Sequence, residues 1–349
     1  MSKRKRGRGR QVELAPAPPP PTVSSEGSVL SKTQKRKLQK KRAAERHREQ
    51  AKARGPAPAS SSHHISVAAS PSLGVVYEDE HLIAINKPVG LLCHPSPGFW
   101  DHGTVVHALG GRERTSGYSE IDARMLEARQ SYTGEADSFI PRAIVHRLDR
   151  GTSGLMLIAK TELAELRLAE QFKRRTTAKT YIALLCGTPR DAAFASCQRV
   201  DALDGGARLR VEAPIDRDSS RPGKMVVGPG GKQATTIVHV HGHSTSGRRE
   251  LCLVSVELLT GRQHQIRVHC AQCLGAPLAN DDAYGGARIA GVPKNRPLLH
   301  AWSMRVPHPA NAETGAPSLD VQAPLPQDML ALIAEHFPAL TAHDPSSWP

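Results

Sequence analysis

The chain has 349 residues, 39% of them hydrophobic and 4% aromatic, which is enough for one large domain or two ordinary ones with a sizeable core. Its formal net charge of +14 is concentrated at one end: residues 1–54 hold 17 Lys and Arg against 4 Asp and Glu, whereas residues 55–349 hold 30 against 29. No apolar run approaches the ~20 residues that a membrane-crossing helix needs, which argues against a membrane protein. The basic end instead indicates a polyanionic partner such as nucleic acid.

Residues 1–72 are predicted to form a basic, Pro- and Ser-rich tail that is largely disordered. Within it, residues 31–54 are rich in helix formers and poor in hydrophobic residues. This segment is therefore either a solvated helix that orders on RNA or a disordered polybasic spacer. The basic cluster at residues 1–10 favours a nuclear or nucleolar location, with a mitochondrial or cytoplasmic one as alternatives. One folded domain is predicted over residues 73–338, followed by a C-terminal tail at residues 339–349.

The hydrophobic pattern of the folded domain predicts more strands than helices. A surface insertion is expected at about residues 111–140, which are polar and irregular. The predicted elements are, in chain order, a hairpin over 75–90, a short helix from Thr104, a strand after residue 154, a helix from its N-cap Thr161 to Arg174, a strand over 179–187, several strands within 196–258, a helix after Thr260 as far as Leu274, a strand over 298–306 and a helix from Gln327 to Phe337. Strands and helices do not alternate regularly, so the predicted class is α+β, with a mixed, mainly antiparallel sheet flanked by helices and loops.

One stretch, His146 to Leu155, places many polar groups between two apolar runs. It is predicted to be a loop that feeds a strand, and loops held by rigid elements are where chemistry is usually placed. Asp149 is the carboxylate of this loop. Taken alone, Asp149 is most simply a turn cap, with Arg147 or Arg150 as its ion partner.

The pair Cys270 and Cys273, with His264 and His269 nearby, has the spacing of half a zinc site. A structural zinc site needs four ligands and normally a second pair at a similar spacing, and the sequence has no second Cys-x-x-Cys pair. We therefore expect no metal.

Four segments together, in their order along the chain, resemble the RluA-type family of pseudouridine synthases: His146–Leu155, Lys179–Tyr181, Thr260–His269 and Leu299–Ala301. Asn86–Gly90 and Tyr284–Gly286 support the resemblance, which spans about Val75 to Phe337. It implies the pseudouridine synthase fold and the isomerisation of specific uridines in rRNA or tRNA to pseudouridine by base flipping. This chemistry needs no cofactor.

The resemblance also implies roles for individual side chains. Asp149 matches the family's nucleophile, and whether it attacks the ribose or the uracil ring stays open. Tyr181 matches the tyrosine that stacks on uracil and accepts the proton from carbon 5. Arg267 matches the arginine that pairs with the aspartate and holds it ionised. These three residues are the expected catalytic set.

The resemblance assigns the surrounding residues to RNA binding and to the pocket. Arg147 matches the arginine that fills the space left by the flipped nucleotide. Arg262 is expected to contact the RNA backbone, and Lys179 to line the site beside Tyr181. Leu148 and Ile266 are expected to form apolar walls. We expect an RNA substrate as the partner, and a monomer.

Further expectations concern the histidines and two departures from the family pattern. His146, His264 and His269 are expected to make structural hydrogen bonds, because the reaction already has its base. Gln263 stands where the family commonly has a small residue and Asn280 where it often has Gly, and neither change removes a chemical group.

Two other functions are compatible with parts of the sequence. A non-catalytic RNA-binding protein could keep the fold, although it would not need Asp149, Tyr181 and Arg267 together. A hydrolase could use Ser153 as its nucleophile, but the sequence around Ser153 is not the Gly-x-Ser-x-Gly elbow and no order of Asp and His supports a triad.

Overall fold

The structure is a computed structural model that describes residues 73–94, 103–110, 143–189, 199–203, 208–244, 250–311, 315, 317–340 and 345–348. The predicted tail at residues 1–72, its segment 31–54 and the predicted insertion at residues 111–140 lie outside the described residues. No helix in the described part combines the length and the apolar character needed to cross a bilayer.

Strands dominate the described residues, as the hydrophobic pattern predicted. They are β1 Gly74–Glu78, β2 Leu82–Lys87, β3 Ser153–Ala159, β4 Ala178–Cys186, β5 Arg199–Leu203, β6 Arg208–Glu212, β7 Ile215–Arg217, β8 Met225–Val227, β9 Thr235–Ser244, β10 Leu251–Leu258, β11 Leu299–Pro307 and β12 Ser318–Gln322. The helices are α1 Val105–Gly110, α2 Glu162–Arg174, α3 Gln265–Val268 and α4 Gln327–His336, with a 3₁₀ turn at Pro345–Ser347.

Ten of these strands form one mixed sheet in the order β1-β2-β3-β11-β4-β10-β9-β6-β5, with β12 paired to β11, and β7 and β8 form a separate hairpin. Among the described strands, β3 and β11 pair in parallel and the other neighbours pair antiparallel. The predicted α+β class with a mixed, mainly antiparallel sheet is thus confirmed.

The parallel contact between β3 and β11 depends on a glycine. Ser153 and Gly154 face His300 and Ala301 at this point. The φ angle of Gly154 is +116°, and a Cβ atom there would lie 2.3 Å from the carbonyl oxygen of Ala301. An L side chain would be strained by this backbone angle and would also clash with β11. The polar loop therefore ends in close contact with β11, a central strand of the sheet.

Local sequence signals account well for α2, which packs beside β3. The side-chain oxygen of Thr161 accepts a hydrogen bond from the backbone N–H of Ala164 at 3.2 Å, as an N-cap should. Lys173 and Arg174 lie in the last turn, where positive charge interacts favourably with the helix dipole. The predicted boundaries of this helix are correct.

The predicted helix after Thr260 differs from what forms. Only Gln265–Val268 is α-helical, and a π-helical turn follows at His269–Cys273. In that turn the N–H of Leu274 bonds to the carbonyl of His269, five residues earlier. Such π segments occur frequently at functional sites. This irregular helix carries Arg267 and lies opposite the polar loop that leads into β3.

Candidate active site

The loop that carries Asp149 is fixed by backbone and thiol contacts before it enters β3. The thiol of Cys93 lies 3.2 Å from both the N–H and the carbonyl oxygen of Leu148. Next to Asp149, the N–H of Gly90 donates to the carbonyl of Arg150, and the Nε of Arg150 donates to the carbonyl of Gly90, each at 2.9 Å. Burial raises the pKa of the Cys93 thiol, so it acts here as a neutral hydrogen-bonding group. Asp149 therefore sits on a constrained backbone.

Arg267 approaches Asp149 from the opposite side and is itself held in place. Its Nη1 lies 3.3 Å from Oδ2 of Asp149, while its Nε and Nη2 donate to the two carboxylate oxygens of Asp281, each at 2.8 Å. The Asp281 side chain is only 1% exposed and that of Arg267 11% exposed. Burial alone would lower the pKa of Arg267, but the hydrogen bonds and charge of Asp281 and the charge of Asp149 raise it. The guanidinium is thus a fixed positive charge aimed at Asp149.

His264 also reaches Asp149, although it was expected to be a structural group. Its Nε2 lies 3.6 Å from Oδ2 of Asp149, and its Nδ1 lies 2.7 Å from the hydroxyl of Tyr284. The ring of Tyr284 also lies under Arg267, with the guanidinium carbon 4.9 Å from the ring centroid. Burial is the main reason that the pKa of His264 is lowered.

Asp149 lies where two cavities meet. The larger has a volume of about 770 Å³, and Arg147, His264 and Arg267 are among its lining residues. The smaller, of about 70 Å³, is lined by Tyr181, Leu148 and Ile266 together with Arg147, Asp149, Arg262, His264 and Arg267. Eight residues were assigned to catalysis, RNA binding or the pocket walls from the sequence, and all of them except Lys179 line this smaller cavity.

Tyr181 forms a buried wall of the smaller cavity on β4. Burial, and then the negative charge of Asp149, raise the pKa of its phenol above the usual range, so the hydroxyl is protonated at neutral pH. Leu148 and Ile266 are 6% and 4% exposed and supply apolar surface beside it. A flat ring that enters this cavity would contact one aromatic and two aliphatic side chains.

The cationic residues occupy three different settings. Arg147 is exposed and lines both cavities. Arg262 is held by a hydrogen bond from its Nε to the carbonyl of Gln233 at 3.0 Å. Lys179 shares a face of β4 with Tyr181 but lines neither cavity, and its ammonium lies 5.8 Å from the centroid of the Phe172 ring. The structure therefore brings Arg147 and Arg262 to the site, whereas Lys179 is not among the residues that line either cavity.

His269 and His146, the other two histidines that were expected to be structural, make hydrogen bonds away from Asp149. His269 contacts the hydroxyl of Thr236 at 2.8 Å and the carbonyl of Ala213 at 3.1 Å, and burial lowers its pKa to about 4. His146 accepts a hydrogen bond from the N–H of Leu157 at 2.8 Å, and burial lowers its pKa to about 3. Both are neutral structural groups.

The half zinc site suggested by spacing does not come together in the described residues. They contain no group of three or more His, Cys, Asp or Glu side chains arranged to hold a metal ion. Cys270 is fully buried with a free thiol, and burial raises its pKa to about 12, which disfavours the thiolate that zinc requires.

A buried arginine that was not predicted from the sequence holds the Asp149 loop by hydrogen bonds. Arg296 is 0% exposed, and it donates to the carbonyls of Gly151, Pro297 and Leu299 and to the carboxylate of Asp328. A Cβ on Gly151 would lie 2.4 Å from the carbonyl of Asn295, so the loop and the segment around Arg296 are in close contact. In the sequence, Arg296 is followed only by the apolar run Pro297–Leu299, so no local signal predicted that it supports the loop.

Ser153 is part of the same support and is unsuited to nucleophilic attack. Its oxygen accepts a hydrogen bond from Arg296 at 3.0 Å and lies 2.9 Å from Nδ1 of His300. Nε2 of His300 donates to the carbonyl of Ala323, so Nδ1 is the acceptor and the serine proton is already donated to it. Ser153 is 2% exposed. These contacts disfavour the hydrolase alternative.

Comparisons with known proteins agree with this geometry. The family model described as RNA pseudouridylate synthase matches residues 81–272. RNA pseudouridine synthase 2, chloroplastic, of Oryza sativa is 33% identical over 309 residues, which cover 75% of this chain and 64% of the relative. Ribosomal large subunit pseudouridine synthase D of Nitrosomonas europaea is 37% identical, with 75% and 64% covered, and the protein of the same name from Vibrio parahaemolyticus is 37% identical, with 74% and 69% covered.

The chain thus spans about two thirds of the length of these relatives. The matched region contains the polar loop, Tyr181 and Arg267, which are the elements that carried the resemblance in the sequence. The extent of the family match and the identity to these relatives show that the chain belongs to the RNA pseudouridylate synthases, as its resemblance to the RluA-type family predicted.

Proposed function

We propose that this protein is an RNA pseudouridine synthase that flips a uridine out of RNA and isomerises it with Asp149 as the nucleophile. The observation that carries the proposal is the contact between Asp149 and Arg267 at the junction of two cavities. An RNA-binding protein without activity would have no need for an arginine clamped by a second, buried carboxylate beside an exposed cavity. The geometry therefore favours catalysis over binding alone.

Arg267 prepares Asp149 for nucleophilic attack. Because Asp281 already holds two edges of the guanidinium, Arg267 presents its remaining Nη1 to Asp149 without having to reorganise. The guanidinium orients one carboxylate oxygen of Asp149 in a site from which RNA displaces water. Breaking the bond between the uracil nitrogen and ribose frees the base to rotate and to rejoin ribose through carbon 5.

Tyr181 is the group proposed to stack on uracil and to accept the proton from carbon 5. While Asp149 is ionised, its charge is one of the effects that keep the phenol protonated. Once Asp149 has formed a covalent adduct that charge is gone, whichever atom of the nucleotide it attacks. Loss of that charge makes it easier for the phenol to give its own proton to a water molecule, and the phenolate can then accept the proton from carbon 5, which couples the two residues in the expected order.

Arg147 and Arg262 are proposed to contact the RNA, and Arg147 to replace the flipped nucleotide in the stack. Arg147 is exposed, lies two residues before Asp149 and lines both cavities, so it is positioned to act at the point where the base enters. The contact of Lys179 with RNA rests on the sequence alone, because its ammonium lies beside Phe172 and lines neither cavity.

The proposed substrate is a structured RNA, and large-subunit rRNA is the first one to test because the Nitrosomonas and Vibrio relatives are named for it. tRNA remains the second candidate. The 17 basic residues within positions 1–54 would add sequence-independent attraction to either. We expect a monomer, and a nuclear or nucleolar location that tagging the full chain in cells would check.

The test uses RNA that carries tritium on carbon 5 of uracil. Isomerisation replaces this hydrogen by the new bond to ribose, so tritium released to water counts turnovers, and mapping of pseudouridine locates the site. We expect release by the full chain, none by Asp149→Asn, and unchanged RNA affinity in that variant. Asp320→Asn, which alters an exposed carboxylate on β12, is the matched control. Full activity in Asp149→Asn, or RNA binding without any turnover by the full chain, would refute the proposal.

A further inference from the structure

His264 adopts a backbone conformation that its residue type does not favour. Its φ angle is +54°, in the left-handed region that residues other than Gly occupy uncommonly, although Asn, Asp and His are found there more often than the rest. The residue directly precedes α3, and its ring is turned towards Asp149, with only 15% of the side chain exposed. Strain at a site of this kind persists only where surrounding contacts hold it, and it gives a reason to examine what the ring does.

The hydrogen bonds around Tyr284 determine which ring nitrogen of His264 carries the proton. The backbone N–H of Met225 donates to the hydroxyl oxygen of Tyr284 at 2.9 Å. The phenol accepts from Met225, and its own proton is assigned to Nδ1 of His264 at 2.7 Å, because the other tautomer would turn the lone pair of Nε2 towards the carboxylate of Asp149. Because Nδ1 is an acceptor, a neutral imidazole has its proton on Nε2, which faces Oδ2 of Asp149 at 3.6 Å.

Two donors thus converge on one oxygen of the nucleophile. Arg267 Nη1 and His264 Nε2 both face Oδ2 of Asp149, and no partner of Oδ1 is found among the described residues. Building on the proposed function, we propose that His264 and Tyr284 are positioning residues that hold Oδ2 together with Arg267, so that Oδ1 is the atom that attacks the nucleotide. His264 acts through Asp149 and does not itself touch the reacting atoms.

The charges around His264 are compatible with a neutral ring. Burial lowers the pKa of His264, and the positive charges of Arg267 and Arg147 act in the same direction, while those of Asp149 and Asp281 oppose them. A neutral imidazole can donate from Nε2 without cancelling the negative charge that makes Asp149 nucleophilic. The 3.6 Å separation is longer than a hydrogen bond, and catalytic contacts of this kind often tighten when the substrate is bound.

The decisive experiment compares two amides at position 264. His264→Gln can place an N–H near the position of Nε2, whereas the shorter amide of His264→Asn reaches only the position of Nδ1. Asn tolerates a left-handed backbone better than Gln does, so a purely structural role predicts that His264→Asn is the more stable and the more active variant. A positioning role predicts the opposite order of activity.

The variants are compared as full chains by urea unfolding and by tritium release at saturating and limiting RNA. We expect His264→Asn to lower kcat about tenfold with KM unchanged, the effect of losing one hydrogen bond to a charged group, and His264→Gln to stay within about threefold of the original chain. His243→Asn, which changes an exposed histidine at the far end of β9, should change neither quantity.

Tyr284→Phe tests the second half of the pair. The Phe ring keeps the surface beneath Arg267, and the change removes the hydroxyl that contacts His264 and accepts from the N–H of Met225. Urea unfolding of this variant measures what the loss of the Met225 contact costs in stability. We expect a fall in kcat of about fivefold, in the same direction as for His264→Asn, and little further loss when the two changes are combined. Fully additive losses would overturn the coupling between the two residues.

The possible outcomes separate this inference from the proposed function. If the original chain releases tritium and His264→Gln is more active than His264→Asn, although no more stable, the inference is supported. If His264→Asn is as active as His264→Gln or more so, the inference is overturned while the function stands. If the original chain forms no pseudouridine in either RNA, the proposed function fails and the inference fails with it.

Discussion

Asp281 offers the sharpest test of how the site is held together. Its carboxylate accepts two hydrogen bonds from Arg267, each at 2.8 Å, and is almost completely removed from solvent. Asp281→Asn keeps the shape of the side chain but removes the charge, and it turns one acceptor towards Arg267 into an amide donor. Arg267 then has a single neutral acceptor where it had a bidentate carboxylate.

The size of the effect follows from these contacts. A hydrogen bond to a charged group contributes about 1.5–3 kcal/mol, and breaking a buried ion pair by removing one partner costs about 3–5 kcal/mol. Since Asn retains one acceptor, we expect Asp281→Asn to lower the free energy of unfolding by about 3 kcal/mol. Arg267 would also lose its aim at Asp149, and a misplacement of about 1 Å in a catalytic group can reduce the rate about 100-fold.

The neighbouring carboxylate provides the control. Asp282 lies 3.7 Å from Arg288, and both side chains are partly exposed, so Asp282→Asn should change the free energy of unfolding by less than about 1 kcal/mol. Urea unfolding measures stability, and tritium release at saturating RNA measures kcat. If Asp281→Asn unfolds and turns over like Asp282→Asn, Asp281 does not hold Arg267 in solution.

Three further predictions concern other parts of the molecule. Arg147→Ala should lower kcat/KM about tenfold or more, because flipping the target nucleotide costs a few kcal/mol. An RNA in which the target uridine is already unpaired and unstacked should restore part of this loss. Equal losses on both RNAs would count against a role of Arg147 in flipping. For Asp79, burial would raise the pKa, but hydrogen bonds from His308, Leu82, Tyr77 and His81 outweigh it and lower the pKa to about 2. The difference in free energy of unfolding between the original chain and Asp79→Asn should therefore be fully present above about pH 4 and vanish as the pH falls towards 2. Urea titrations measure this difference, and a value independent of pH would contradict the prediction. Deletion of residues 1–54 should raise KM and flatten the salt dependence of RNA binding with kcat unchanged, and an unaltered salt slope would refute a role for the tail.

Local signals in the sequence were sufficient to predict most secondary structure. The hairpin of β1 and β2, the capped helix α2, the strand β4 and the helix α4 all have clear hydrophobic periodicity or capping residues. β12 was not predicted, because only Val321 of its five residues is buried and the others are exposed or partly exposed at the sheet margin. Edge strands of this kind carry little hydrophobic pattern, so their pairing is visible only once β11 is in place.

Some residues of the candidate site could likewise be predicted from local sequence motifs, whereas the role of others depends on tertiary contacts. Asp149, Tyr181 and Arg267 could be proposed as site residues because each belongs to a recognisable motif, and all three line one cavity in the structure. Asp281 could not, since in the sequence it is one acidic residue of a turn-rich loop and its role depends on the side of the fold from which Arg267 arrives. Arg296 was equally hidden because a fully buried arginine cannot be told from a surface one by composition.

Asn280 shows how a departure from a family pattern can be explained by backbone geometry. The sequence places Asn where Gly is often found, and the φ angle of Asn280 is +63°, a conformation that Asn tolerates better than most residues. Its side chain also donates to the carbonyls of Pro293 and Arg296. The substitution therefore preserves the turn that leads into Asp281 and adds hydrogen bonds that Gly could not make.

The two sides of the candidate active site, one carrying Asp149 and the other carrying Arg267, are held in place by different kinds of contact. On the side of Asp149, the restraints are backbone hydrogen bonds and the Cys93 thiol, which define the path of the loop but leave the carboxylate free to rotate. On the side of α3, side chains set the orientation: Asp281 fixes Arg267, and Tyr284 fixes His264. The rotation of the carboxylate is therefore restrained by Arg267 and His264 with their supports, so the proposed nucleophile takes its orientation from residues more than 100 positions away in the sequence.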